Sequence, residues 1–127
     1  MLGATILLCA ACSGEVTELA RVVSPGGETT ALLQRIDAGG AAGSRAYEVY
    51  LVPGSKTADD GRRVFSGSHC DKITLAWRDE HTLSIKYTPG CSIYEFRNTW
   101  YGPRALENEA VPATPTEVIL VRQPPLL

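Results

Sequence analysis

Apolar and polar side chains alternate with a period of two along most of this chain, the repeat of a strand that buries one face. Tyr47, Val49 and Leu51 alternate with Glu48, Tyr50 and Val52 before Pro53-Gly54 stops the run. Ile73, Leu75 and Trp77 alternate with Lys72, Thr74, Ala76 and Arg78, and Leu83, Ile85 and Tyr87 alternate with Ser84 and Lys86. Aliphatic and β-branched runs predict further strands over 19–23, 29–36, 63–66, 92–101 and 117–122. Helix signals are nearly absent.

The breaks between these runs carry turn chemistry. Ser24-Pro25-Gly26-Gly27 and Thr88-Pro89-Gly90 combine a preset φ with residues that accept positive φ. Residues 37–44 form a Gly-rich loop, 54–61 a polar one, and 102–116 an extended connection with three prolines. Short strands joined by such turns predict an all-β, antiparallel meander of about six or seven strands, folded as a single twisted sheet or a small sandwich.

One hairpin fixes its own register. Asp79-Glu80-His81 separates two alternating runs, and a single register must keep every apolar side chain on one face. That condition pairs Trp77 with Leu83, Leu75 with Ile85 and Ile73 with Tyr87. Residue 70 then faces residue 90, so Cys70 and Cys91 meet at the open end of the hairpin. A disulfide there closes a loop worth roughly 3 kcal/mol in the chain-entropy model. The alternatives are two free thiols, or Cys70 joining His69 and Asp71 as metal ligands. Adjacent residues of a strand point to opposite faces, which makes a poor chelate, so the expectation is a Cys70–Cys91 disulfide and no metal.

The chain opens with Met-Leu-Gly-Ala-Thr-Ile-Leu-Leu-Cys-Ala-Ala-Cys-Ser. An apolar run, two small residues and then a cysteine resemble the signal peptide and lipobox of a bacterial lipoprotein. The resemblance implies lipidation of Cys12 as the mature N-terminus, and two lipid chains suffice for stable membrane attachment. It divides the chain into a signal peptide (1–11), a tether (12–18), one β domain (19–122) and a tail (123–127). Ser13 in place of Asp implies the outer membrane, facing the periplasm. Two features depart from the pattern: no Lys or Arg precedes the apolar run, and Cys9 stands where such signals usually carry Leu. The alternative is a buried N-terminal strand or helix with an ordinary apolar Cys. A transmembrane helix needs about 20 apolar residues, and Ser13, Gly14 and Glu15 end this run sooner.

Charge and size narrow the partners. Lys and Arg total 12 against 14 Asp and Glu, for a formal net charge of −2, and no basic stripe interleaves with aromatics as nucleic-acid binding requires. No polybasic segment points to peripheral binding of anionic lipid. About 115 residues remain beyond the signal, one domain's worth. An even pair of cysteines in an exported chain fits a disulfide.

Candidate chemistry is sparse. His69 and His81 are the two histidines, and the adjacent acids Asp59-Asp60 and Asp79-Glu80 fall in loops, where solvated turn residues outnumber acid–base pairs. No Gly-x-Ser-x-Gly elbow joins a strand to a helix. The Gly39-Gly40-Ala41-Ala42-Gly43 loop joins strands and lacks the helix dipole that binds phosphate. No cofactor is implied. Tyr94, Phe96, Trp100 and Tyr101 crowd one predicted strand; core packing explains such residues, and an exposed strip recognising a protein, peptide or glycan is the functional alternative. Glu95, Arg97 and Asn98 would then add polar contacts.

The ordered set Val23-Ser-Pro-Gly-Gly, Tyr47-Glu-Val-Tyr-Leu-Val-Pro, Ile73-Thr-Leu-Ala-Trp, Thr82-Leu-Ser-Ile-Lys-Tyr and Ile93-Tyr-Glu-Phe-Arg-Asn-Thr-Trp resembles a group of short exported bacterial lipoproteins of unknown function, with an S-P-x-G hairpin and an all-β domain. The resemblance spans most of residues 19–101 and implies an envelope location with no catalytic residue to carry over. Three expectations follow: a non-enzymatic, membrane-anchored module that binds another envelope component, a small envelope hydrolase, or a structural coat protein. The hydrolase needs a polar cleft holding at least two of His69, His81, Asp59, Asp71, Asp79 and Glu95.

Overall fold

The computed structural model describes residues 15–37, 45–102 and 114–124. Those residues form nine strands: β1 (Glu15–Val23), β2 (Thr29–Asp37), β3 (Arg45–Pro53), β4 (Arg62–Ser68), β5 (Ile73–Asp79), β6 (Thr82–Tyr87), β7 (Ser92–Phe96), β8 (Thr99–Trp100) and β9 (Thr116–Arg122). One sheet runs β1-β2-β3-β4-β7 and the other β5-β6-β9-β8. The expected all-β class is the observed one, as a small sandwich. The signal-peptide segment, the expected lipidation residue Cys12, residues 38–44 of the Gly-rich loop and most of the 102–116 connection lie outside the described residues.

The two sheets share one apolar core. Ala31, Leu33, Val49, Leu51, Val64 and Phe65 from the five-stranded sheet pack against Leu75, Leu83, Ile85, Trp100 and Val118 from the other. The 73–87 hairpin has the expected register, with Ile73 opposite Tyr87, Leu75 opposite Ile85 and Trp77 opposite Leu83. Cys70 and Cys91 are disulfide-bonded, their Cα atoms 4.2 Å apart. The sandwich is stitched along both long sides. On one, the Trp77 indole N–H donates to the Val22 carbonyl at 2.8 Å, joining edge strands β5 and β1. On the other, the chain itself crosses between sheets, with Arg97 N–H donating to Val64 O and Val118 N–H to Asn98 O, each at 2.9 Å.

The outer face of the larger sheet is also partly covered. Thr30, Leu32 and Val52 are fully buried yet stand outside the central core. The segment after β3 folds over them: Thr30 Oγ1 donates to Gly54 O, and Arg21 reaches Lys56 O at 3.2 Å. Gly61 returns so close that a Cβ there would stand 2.1 Å from Leu51 O, so only glycine fits.

Four differences from the sequence expectation have physical causes. First, the meander is not wholly antiparallel: β9 pairs parallel to β6, with Leu83 opposite Val118 and Ile85 opposite Leu120. The long 101–115 connection lets the chain return in the same direction as β6. Second, the described residues form nine strands against an expected six or seven, and one of the additional ones arises because the 92–101 strand breaks at Arg97-Asn98 into β7 and β8, which join different sheets. Third, β7 pairs with β4 instead of with β6, the neighbour that a meander would give it. Fourth, residues 15–18, expected as tether, belong to β1 and pair with β2 from Glu15 opposite Asp37 onward. An edge strand needs one partner only, so its acidic positions can stay in water.

Candidate functional site

The two histidines stand at opposite ends of the sandwich. His81 lies in the tight β5–β6 turn, and His69 lies beside the disulfide at the open end of that hairpin. We call these the turn end and the disulfide end.

At the turn end, a carboxylate of one sheet organises a turn of the other. Glu80 accepts the Ser24 hydroxyl at 2.7 Å and the backbone N–H groups of Gly26 and Glu28. The Ser-Pro-Gly-Gly turn thus presents its donors to an anion, and the chain supplies that anion itself. The Ser24 hydrogen bond, followed by those two N–H groups, holds the Glu80 carboxyl below its ordinary range. Asp79 is lowered in the same way, first by the His81 N–H and then by the Thr82 hydroxyl.

A cleft of about 170 Å³ opens beside this clasp, lined by Glu28, Thr29, Pro53, His81, Trp100 and Tyr101 among others. A more open and larger groove of about 540 Å³ continues along Asp79, Glu80, His81, Thr82 and Glu117. The cleft is smaller than the roughly 300–1,000 Å³ typical of small-molecule pockets; it fits a side chain or one edge of a sugar. Of the six residues named for a hydrolase, Asp79 and His81 share this groove, which meets the minimum of two set for that alternative, although the Asp79 carboxylate already accepts the His81 backbone N–H. Asp59, Asp71, His69 and Glu95 lie elsewhere. Among the described residues no three metal-ligating side chains converge.

The aromatic set divides. Trp100 is 9 % exposed and belongs to the core, so it is a packing residue with one edge in the cleft. Phe96 is half-buried against the same core. Tyr94 is 68 % and Tyr101 48 % exposed, but they occupy opposite ends of the molecule. The cause is a bulge: Glu95 pairs with Ser66 and Ile93 with Gly67, leaving Tyr94 unpaired. That extra residue lets Ile93 and Phe96 both reach the core while Tyr94 is turned outward. Strict alternation along an unbroken 92–101 strand would put Tyr94, Phe96 and Trp100 on one face.

Two polar groupings had no sequence signal. On the outer face of the larger sheet, Arg63 bridges Glu48 at 2.6 Å and Glu95 at 2.7 Å, and the Tyr50 hydroxyl donates to Glu48 at 3.1 Å. Arg63 lowers the Glu95 carboxyl and is itself raised, first by the Glu95 hydrogen bond; burial, then Glu48, raises the Tyr50 phenol. Arg97 adds a second bridge to Glu95 at 3.4 Å, so two arginines face two glutamates, as a structural ion network requires. At the disulfide end, the Ser68 hydroxyl lies 3.0 Å from His69 Nδ1 and 2.6 Å from the Tyr94 hydroxyl, and His69 has φ 58°. These neighbours come from β4 and the bulge of β7, which alternation alone does not bring together. Comparison with family models, curated proteins and solved structures found no match.

Proposed function

We propose that this chain is an exported lipoprotein of the bacterial cell envelope, anchored through lipid on Cys12 and facing the periplasm from the outer membrane. Its β domain acts as a non-catalytic binding or structural module. The observation that carries this reading is the Cys70–Cys91 disulfide. Disulfides persist in oxidising compartments, and this one agrees with the signal-like sequence that ends at Cys12. The chemistry-bearing side chains also favour binding over catalysis. Glu80, Glu48 and Glu95 are consumed by structural partners, and Asp79 is held by its own turn. The Tyr101 and His81 rim of the turn-end cleft is the surface for an envelope protein or glycan.

The test is a comparison in bacterial cells of the full chain with its Cys12→Ala variant. The parent fractionates with membranes and the variant with the soluble envelope fraction. In the parent, a photo-crosslinker in place of Tyr101 captures one recurring envelope component, and the same group in place of Ile119 does not. Unchanged membrane retention of Cys12→Ala contradicts the anchor. Equal capture from both positions contradicts the binding surface.

A further inference from the structure

The disulfide end of the sandwich carries a charge pattern that the linear sequence hides. Pairing brings Glu15, Asp37 and Arg45 to one row, Ile73, Tyr87 and Arg122 to another. Around this end stand Arg35, Arg45, Lys72, Lys86 and Arg122, widely separated along the chain. The acids there are fewer: Glu15, Asp71 and Asp37. Asp37 is already bridged by both Arg35 at 3.2 Å and Arg45 at 2.9 Å, which leaves that trio cationic. Two exposed apolar-bodied side chains join them, Val16 at 56 % and the bulged Tyr94 at 68 % exposure.

The turn end has the reverse balance. Glu28, Asp59, Asp60, Asp79, Glu80 and Glu117 gather there, offset by Lys56, Arg62 and Arg78. Among the described residues the charges named here sum to +2 at the disulfide end and −3 at the turn end.

We infer that the disulfide end docks flat on anionic phospholipid headgroups. This inference rests on lipidation of Cys12. Only Ser13 and Gly14 separate Cys12 from Glu15, where β1 already pairs with β2. At roughly 3.5 Å per residue, three steps of chain reach about 10 Å. That length holds the Glu15 end of the domain at the headgroup layer and leaves no long spacer. The end so held is the cationic one, and basic side chains near an anionic bilayer are attracted with a range set by the Debye length. Tyr94 presents an aromatic body with a polar tip, the side-chain type that settles at membrane interfaces. Docking in this sense points the acidic turn end and its cleft away from the bilayer, toward the periplasm.

Hydrogen exchange read by mass spectrometry tests this on the full-length protein purified from membranes and reconstituted in two kinds of vesicle, phosphatidylcholine alone or with phosphatidylglycerol. On phosphatidylglycerol vesicles, peptides covering 45–47, 69–72, 86–88 and 121–123 exchange severalfold more slowly than on phosphatidylcholine. Peptides covering 24–28 and 79–81 exchange alike on both. Lys72→Gln and Arg122→Gln, both at exposed positions, each reduce the protection roughly fivefold at low salt. Acylated protein with equal exchange on both vesicles, or with protection at the turn end, overturns the docking and leaves the anchor standing. A Cys12 peptide that carries no acyl chain overturns both.

Discussion

Glu80 and Ser24 lie 56 residues apart, and the Ser24 hydroxyl donates to the Glu80 carboxylate at 2.7 Å. Through this contact the β5–β6 turn of one sheet grips the Ser-Pro-Gly-Gly turn of the other. The neighbouring Trp77–Val22 hydrogen bond lies on the same side of the sandwich. Together they pin the turn-end halves of edge strands β1 and β5 to each other.

The clasp makes stability depend on pH with a defined sign. The Glu80, Asp79 and Glu95 carboxyls all sit below their ordinary values in the folded protein. A lowered folded-state value means that the contribution is complete above the unfolded value, 4.5 for a Glu here, and is lost as pH falls through the folded one. Thermal melts of the parent therefore fall on acidification below that point. Glu80→Gln melts lower than the parent at neutral pH, and the gap narrows in acid, as the parent carboxylate takes up its proton. A constant gap at both pH values contradicts the ionised clasp.

Removing the disulfide by Cys70→Ser with Cys91→Ser destabilises the domain by roughly 3 kcal/mol. Urea unfolding followed by Trp fluorescence reads the loss as a lower midpoint, and reductant moves the parent toward the variant. Identical midpoints with and without the bridge contradict a structural role.

The divided aromatics predict divided phenotypes. Trp100→Ala removes a core side chain and costs about 3–5 kcal/mol. Tyr101→Ala and Tyr94→Ala change exposed positions and stay within about 0.5 kcal/mol. The comparison is made by denaturant titration, and a tolerated Trp100→Ala shows that this residue is not part of the core.

Glu48 and Arg63 predict energetic coupling. Glu48 is buried while Arg63 is half-exposed, so solvent screens part of the pair. A double-mutant cycle with Glu48→Gln and Arg63→Met returns a favourable coupling of about 1–2 kcal/mol. Additive effects contradict the network.

The fold was legible where the pattern was local. The 73–87 register followed from keeping six apolar residues on one face, and it brought Cys70 to Cys91. It was less legible where backbone irregularity broke the alternation. Bulges at Leu19, Val64 and Tyr94 shift the faces of β1, β4 and β7, and no residue type marks a bulge reliably. The parallel β6–β9 pair depends on a long-range return that periodicity does not encode. The candidate cleft was hidden for the same reason: Thr29 and Pro53 are paired ends of β2 and β3, while His81 lies in the β5–β6 turn and Tyr101 follows β8. The cationic end is a further case, assembled from single charges on different strands.

The most direct test of the account is the intact mass of the membrane-extracted protein, with the N-terminal peptide sequenced by mass spectrometry. The account predicts a chain that begins at Cys12, carries the added mass of acyl chains on that residue and retains the Cys70–Cys91 cross-link. A chain that retains residues 1–11 and has an unmodified Cys12 contradicts it.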